Sequence, residues 1–368
     1  MNEEYRSPEY LQMSPAGALT NDPEEGRSSW DTHINFLELQ LTYPEGCQAI
    51  CSYCGFSTSG HRHVNPGTLV QTWPILSVDE IISRVNENTG SLERICLSMV
   101  VHPDGVEDTT FLIDRFRRET DLKVSVLVNP SLLNDGDIEA FHVTGADRAI
   151  VAIETATRDL FNEHGGMDNP HQWEKYWLAL GDAAGAFGGD KTGTHLIAGL
   201  GETEQQMVNT IQRARDLGAS TYLFSFFPDP GSILKNAEPC PAGQFRRIQL
   251  ARFLIDCSLV VDSQMDFDEH ERITGFGLRG TELDDIVDTG EPFTASGCPG
   301  KTMNCACNRP YADGPAGDIR SYPFFLEPED IQQVRKQMAT YLETPSFIDQ
   351  ATIQGILATI TSEFREGG

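Results

Sequence analysis

Between residues 34 and 263 the sequence alternates short apolar runs with stretches of helical period. That alternation constrains the fold more than any other feature. "INFLELQLTYPEG" reads as a strand that ends in a turn, and "RICLSMVV", "KVSVLVNP", "RAIVAIETA", "GTHLIAGLG" and "STYLFSFFPDPGS" read as further strands. Between them lie helical patterns. "SVDEIISRVNENT" is capped by Ser77 and "NDGDIEAFHVTG" ends at Gly145; "DTTFLIDRFRRET", "PHQWEKYWLALGDAAGAF", "TEQQMVNTIQRARDLG" and "AGQFRRIQLARFLIDCSL" complete the series. Regular strand–helix alternation predicts a parallel sheet, because parallel neighbours need crossover connections. Six such units fall short of the eight of a closed barrel. The expected fold is therefore α/β, a partial (β/α)6-type TIM barrel over residues 34–263. Residues 1–33 are polar with Pro and Gly and read as a flexible N-terminal arm. Residues 264–325 read as an irregular segment, and residues 326–368 as C-terminal helices near 328–342 and 350–364.

The chain carries nine cysteines, 55 acidic and 27 basic residues, for a net charge of −28. The acidic residues are spread along the chain and read as a solvated surface, which argues against a phosphate-backbone partner such as nucleic acid. No run of about 18 apolar residues appears, so no membrane span is expected. No basic segment leads into an apolar core as in a secretory signal, so a cytoplasmic location is expected. An odd cysteine number in a long chain without such a signal argues against a disulfide framework. Six cysteines fall in two tight groups, which points to metal.

The first group, "EGCQAICSYCG", holds Cys47, Cys51 and Cys54 as Cys-x3-Cys-x2-Cys. A structural zinc ion takes four ligands, and the neighbouring sequence offers no fourth. Three thiolates suit three irons of a 4Fe–4S cube and leave the fourth iron open to a substrate or cofactor. A zinc knuckle is the alternative reading. The loop directly follows the first barrel strand, with an aromatic, Tyr53, before the last cysteine. In this the chain resembles the radical S-adenosylmethionine (SAM) superfamily.

That resemblance implies a catalytic 4Fe–4S cluster on Cys47, Cys51 and Cys54, fed by a low-potential electron donor. The open iron would bind SAM, and one electron would cleave it to methionine and a 5′-deoxyadenosyl radical that abstracts hydrogen from an unactivated C–H bond. It also implies SAM contacts from Tyr53, from Glu154 and Thr155 in "AIVAIETA", and from Ile197, Gly199, Gly201 and Glu202 in "HLIAGLGETEQQ". Where the family carries a Gly-Gly-Glu-like segment after the second strand, this chain reads "SMVVHPDG", so Ser98 to His102 match only in part.

Within the superfamily the chain is similar to the biotin synthase-like branch. "ERICLSMV" resembles the strand that carries a cysteine ligand of that enzyme's sulfur-donating cluster, at Cys96. The third and fifth strands lack the other cysteines, so Cys96 reads as a buried small apolar residue, as do Cys240 and Cys257. The second cysteine group, Cys298, Cys305 and Cys307, lies in a Gly- and Pro-rich tail that a metal would organise. Three thiolates again fit an iron–sulfur cube with a fourth ligand from elsewhere or an open iron; a zinc site or three free thiols are the alternatives. "CNRPY…YPF" resembles the tail of the two-protein lipoyl synthases, although the insertion "KTMN" departs from their spacing.

This narrower resemblance implies an auxiliary 4Fe–4S cluster consumed as sulfur donor. It further implies an octanoylated lipoyl carrier domain as substrate and a second radical SAM partner protein, each protein inserting one sulfur. Arg309, Arg320 and Ser321 flank the tail cysteines. "Arg-Ser-Tyr" at 320–322 resembles the ending of the one-protein lipoyl synthases, where a serine ligates the auxiliary cluster, but by itself Ser321 reads as a turn residue. Another substrate of cofactor or modified-nucleoside synthesis, or a non-catalytic zinc scaffold, would be the rival functions.

Overall fold

The computed structural model describes residues 5–13, 35–56, 73–87, 92–165, 170–278, 280–300, 306–307 and 318–340. The core is one sheet of eight strands: β1 (Tyr10–Met13), β2 (Phe36–Leu41), β3 (Ile75–Ser77), β4 (Arg94–Ser98), β5 (Lys123–Val128), β6 (Arg148–Glu154), β7 (Thr192–Ala198) and β8 (Ser220–Ser225). Their spatial order is β3-β1-β2-β4-β5-β6-β7-β8. From β2 to β8 all neighbours run parallel. These are the six expected units, and the sheet curls as a partial barrel that does not close. β1 and β3 extend one edge as antiparallel strands. Tyr10–Met13 thus belongs to the sheet, which corrects the reading of residues 1–33 as an arm. Leu11 and Met13 are fully buried there.

The crossovers are helical: α1 (Val78–Glu87), α2 (Gly105–Glu119), α3 (Asp137–Thr144), α4 (Arg158–His164), α5 (Trp173–Phe187), α6 (Glu204–Asp216) and α7 (Ala242–Asp256). Ser77 caps α1 by accepting the Glu80 N–H at 3.2 Å, and Gly145 ends α3 with φ +124°. The segment expected to be irregular is partly ordered, with a hairpin of β9 (Asp266–Phe267) and β10 (Ile273–Gly275) and a helix α8 (Thr281–Thr289). Helix α9 (Pro328–Met338) matches the first expected C-terminal helix; the second, near 350–364, lies outside the described residues.

Alternation along each parallel strand separates two faces. Leu37, Leu39, Ile95, Leu97, Val124, Val126, Val151 and Leu196 pack outward against the helices in the main apolar core. The intervening positions face the lumen: Glu38 and Gln40 of β2, Cys96 and Ser98 of β4, Leu127, Ile150, His195, Tyr222 and Phe224. A packed barrel core would fill these positions with branched aliphatics. Here most of them hold polar, aromatic and thiol groups, with Leu127 and Ile150 the aliphatic members.

One buried ion pair ties the last helices to the barrel. Arg247 on α7 and Glu204 on α6 are each about 3% exposed, with Arg247 Nη2 2.5 Å from Glu204 Oε1. Arg247 also donates to the Met338 and Thr340 carbonyls, and Glu204 accepts the Ile273 N–H. Removing one partner strands a desolvated charge. Glu204→Ala is expected to lower unfolding free energy by about 3–5 kcal/mol in urea titration, and Glu204→Leu/Arg247→Met to recover most of it. Equal losses in the single and double variants would show that the apolar pair cannot replace the ionic one.

Candidate functional site

The loop after β2 turns at Gly46, whose φ of +72° lets the chain reverse and whose N–H donates to Tyr43 O at 2.9 Å. It then presents Cys47, Cys51 and Cys54 at the C-terminal end of the sheet. Each sulfur has a nitrogen partner at 3.4 Å; Cys47 also meets the Ala49 N–H and Cys51 the Tyr53 hydroxyl. Val101 N–H points at Cys47 Sγ, Phe56 N–H at Cys54 Sγ, and the His171 ring at Cys51 Sγ. N–H donors are what an anionic thiolate needs when it leaves water. Burial pushes all three thiols up, Cys54 to about 12, and neighbouring sulfurs push Cys51 further. Only a bound cation reverses that penalty. Among the described residues no three His, Cys, Asp or Glu side chains converge on a single-ion site. A polynuclear centre needs no such convergence, because each thiolate takes a different iron. The donor set and its N–H partners fit a 4Fe–4S cluster.

The segment compared with Gly-Gly-Glu borders this loop. Val101 O accepts the Gln48 N–H at 2.8 Å, and His102 stacks on Tyr43 at 3.6 Å between ring centroids. Glu154 closes β6 in a strained conformation. The β6–β7 register shifts between Ala152 and Glu154, and Thr155 N–H donates back to Ile153 O at 2.8 Å. Glu154 is the centre of this γ-turn, with φ +68°. The bulge re-aims its carboxylate toward the thiol loop, where its charge acts on Cys51, Cys54 and Tyr53.

The "GLG" turn after β7 is held from both sides. Gly199 and Gly201 have φ of +102° and +112°. A Cβ on Gly199 would sit 2.5 Å from Cys240 Cβ, so only glycine fits. Glu202 is 1% exposed and accepts the Gly199 and Leu200 N–H groups at 2.7 and 3.0 Å. His164 links the turn to the thiol loop: Nε2 donates to Leu200 O and Nδ1 accepts from Ser52 Oγ, both at 2.7 Å. A carbonyl can only accept, so the proton sits on Nε2.

Cys298 and Cys307, the described members of the second cysteine group, line a cavity on the lumen face of the sheet. Arg94, fully buried at the start of β4, donates to Pro299 O, Ser125 Oγ and Asp147 at 2.7–2.8 Å. Lys123, which starts β5, donates to Gly300 O. These contacts hold the chain beside Cys298 against the N-terminal ends of the strands. Ala306 and Cys307 N–H both donate to Cys298 O. From the far side, Arg246 donates to the Ile319 and Arg320 carbonyls, and Arg320 donates to Asp318 and Cys240 O. The result is one cavity lined by Cys298, Cys307, Cys96, His195, Ser321 and Tyr222. Cys305 and Arg309 lie outside the described residues.

The structure therefore brings Cys47, Cys51, Cys54, Tyr53 and Glu154 together, with Ile197 half-buried at the end of β7. It does not bring Glu202 or Thr155 to an open surface. Both carboxylate oxygens of Glu202 are used by the turn, and Thr155 is 2% exposed with its hydroxyl on Thr157 O. Cys96 and Cys240 are buried as read, but Cys96 also lines the second cavity. Cys257 is exposed, because α7 ends one residue before it and the cap faces solvent. His171, His164, Ser52 and Arg94 were missed. Each is a lone polar residue whose partner lies far along the chain.

A model of the radical SAM superfamily matches residues 41–214. The biotin synthase of Saccharopolyspora erythraea is 26% identical over 214 residues, 56% of this chain and 57% of that one. The chain thus spans a little over half the length of this curated relative. Among solved structures, methylornithine synthase (PylB) matches with a TM-score of 0.47 at 13% identity, covering 66% of each chain. HydG, a maturase of the FeFe hydrogenase, matches at 0.48 and 14%, covering 66% of this chain and 53% of its own. Residues 41–214 are thus similar to the radical SAM superfamily, and over 214 residues the chain is similar to a biotin synthase.

Burial raises the Glu202 carboxyl from 4.5 to about 7, against the backbone donors that lower it. An acid raised in the folded state binds its proton more tightly there than unfolded, so its contribution to stability falls as pH rises from about 4.5 to 7. Glu202→Gln keeps a carbonyl acceptor and cannot titrate. Its stability relative to wild type is expected to improve across that window, read as urea midpoints at pH 5 and 7.5. A constant difference between the two proteins would contradict the assignment.

Proposed function

We propose that this chain is a radical SAM enzyme that inserts sulfur into an unactivated C–H bond of a protein-bound octanoyl chain, the chemistry of lipoyl cofactor synthesis. One observation supports the reading: Cys47, Cys51 and Cys54 gather on the loop after β2, while Cys298 and Cys307 line a cavity on the lumen face of the same sheet. Cys47, Cys51 and Cys54 would hold the SAM-cleaving 4Fe–4S cluster, and Cys298, Cys305 and Cys307 an auxiliary cluster, with Cys96, His195 or Ser321 within reach as a further ligand. When bound, the first cluster supplies the electron that cleaves SAM to a deoxyadenosyl radical, and the second supplies the sulfur.

The chain's own work is placement and exclusion of water. Tyr53, Glu154, Ile197 and the Gly199–Gly201 turn form the rim on which SAM would lie, and Ser52–His164–Leu200 fixes that turn against the thiol loop. Leu127, Ile150 and Phe224 give the lumen an apolar wall. Such a wall suits an alkyl chain, each buried methylene of which contributes about 0.8 kcal/mol. The tail pinned by Arg94, Arg246 and Arg320 closes the lower end. A low-potential electron donor and a second radical SAM protein that adds the other sulfur belong to this reading. Glu38 and Gln40, each 8% exposed on the lumen face of β2, favour a second reading in which the same chemistry acts on a more polar cofactor precursor.

Anaerobically reconstituted protein is expected to hold about eight irons, falling to about four when Cys47, Cys51 and Cys54 are replaced by Ala. Replacing Cys298, Cys305 and Cys307 as well should remove the remainder. Mass spectrometry of an octanoylated carrier domain after turnover should then show sulfur gained. If the first triple variant holds no iron, the tail carries no cluster and sulfur insertion is excluded.

A further inference from the structure

His171 belongs to none of the roles above, yet it touches the thiol loop. It lies just before α5, with Nε2 3.4 Å from Cys51 Sγ. Its other nitrogen, Nδ1, is 2.6 Å from Ser131 Oγ and 2.7 Å from the Tyr176 hydroxyl. Those hydroxyls are themselves oriented. Tyr176 donates to Asn129 Oδ1 at 2.9 Å, and the same oxygen accepts the Ser131 N–H at 3.1 Å. With the Tyr176 proton on Asn129, the Ser131 hydroxyl, 3.1 Å from the Tyr176 oxygen and 2.6 Å from Nδ1, makes its shorter contact by donating to Nδ1. An Nδ1 that accepts leaves the hydrogen on Nε2, aimed at sulfur. The opposite tautomer would set a nitrogen lone pair against a thiolate. Phe161 and Tyr176 pack edge-on around the ring and hold its plane.

We propose that His171 tunes the first cluster: its Nε2–H donates to the Cys51 thiolate, and Asn129, Ser131 and Tyr176 fix the tautomer that makes this possible. The inference rests on the cluster reading of Cys47, Cys51 and Cys54. Cys47 and Cys54 receive backbone N–H groups, whereas Cys51 is met by side chains, the His171 ring and the Tyr53 hydroxyl. Reduction adds negative charge to the cluster and its sulfurs. A donor to sulfur therefore stabilises the reduced form and raises the potential. His171 is a positioning residue that acts through Cys51.

The test uses the full chain with Cys298, Cys305 and Cys307 replaced by Ala, so that only the first cluster is titrated. Iron content is measured first, then the midpoint potential by anaerobic redox titration followed by electron paramagnetic resonance. His171→Leu is expected to retain iron and shift the midpoint to more negative potential. His171→Gln, which restores a side-chain N–H, should bring it part of the way back. An unchanged midpoint in His171→Leu at full iron content overturns the proposal. Where His171→Leu takes up less iron than the parent, Ser131→Ala/Tyr176→Phe decides in its place. That variant keeps the imidazole but strips both hydroxyls from Nδ1. A negative shift supports the relay and an unchanged midpoint overturns it. A parent that binds no iron overturns the cluster reading itself, a result distinct from any shift among loaded variants.

Discussion

Everything in this molecule depends on the two-residue alternation of six parallel strands. Each strand gives every second side chain to the helices and the rest to the lumen. The outward set is aliphatic and supplies the cohesion. The inward set is free of that duty, so it can carry Glu38, Gln40, Cys96, Ser98, His195 and Tyr222 without dissolving the core. A one-residue slip of any strand would exchange the two sets. The apolar seam against the helices therefore fixes which groups face the lumen as firmly as any polar contact does.

Buried guanidinium groups do what an apolar tail segment would otherwise have to do. The segment around Cys298 and Ser321 has too few large apolar residues to pack by itself. Arg94, Arg246, Arg247 and Arg320 are all under 5% exposed; the first three donate to main-chain carbonyls of the terminal third, and Arg320 ties that segment back to the Cys240 carbonyl. A guanidinium has five donors in a planar fork, so one side chain can bind two or three carbonyls at once and leave no desolvated proton unpaired. Asp147, Glu204 and Asp318 balance three of these charges nearby. In a chain with a net charge of −28, basic residues placed inside hold structure together where the surface has few to offer.

The parts of the fold that were legible in the sequence are those encoded locally. Six strand–helix units and the caps at Ser77 and Gly145 follow from periodicity and short-range turn chemistry. The thiol loop follows from spacing within eight residues. Strand β1 was not legible, because "YLQM" is four residues between prolines and becomes a strand only by pairing with β2 and β3. The role of Glu202 was misread for a related reason: the residue type was visible, but its turning back onto the Gly199 and Leu200 amides was not. His171 meets Cys51 across 120 residues, and Arg94 meets Pro299 across 205. Nothing local marks either residue, since what matters is a partner that only the closed fold supplies.

On the proposed reading, the two thiol groups serve two kinds of chemistry with opposite demands. Cleaving a cofactor by one electron would need an open rim where that cofactor enters, and the C-terminal ends of the strands offer close backbone approach at Gly199 and Gly201. A sulfur donor needs the reverse: a closed, dry pocket that solvent and stray reductants do not reach. At the N-terminal ends Arg94 and Lys123 hold residues 299 and 300 against the strands, on the side where the proposed donor would lie. A substrate chain between the two would meet the radical from above and the sulfide from below. The apolar wall of Leu127, Ile150 and Phe224 would keep it from lying against the polar strands. Strand length sets the span between the two ends of the sheet, and the loop after β2 and the tail pinned by Arg94 place the thiols at them.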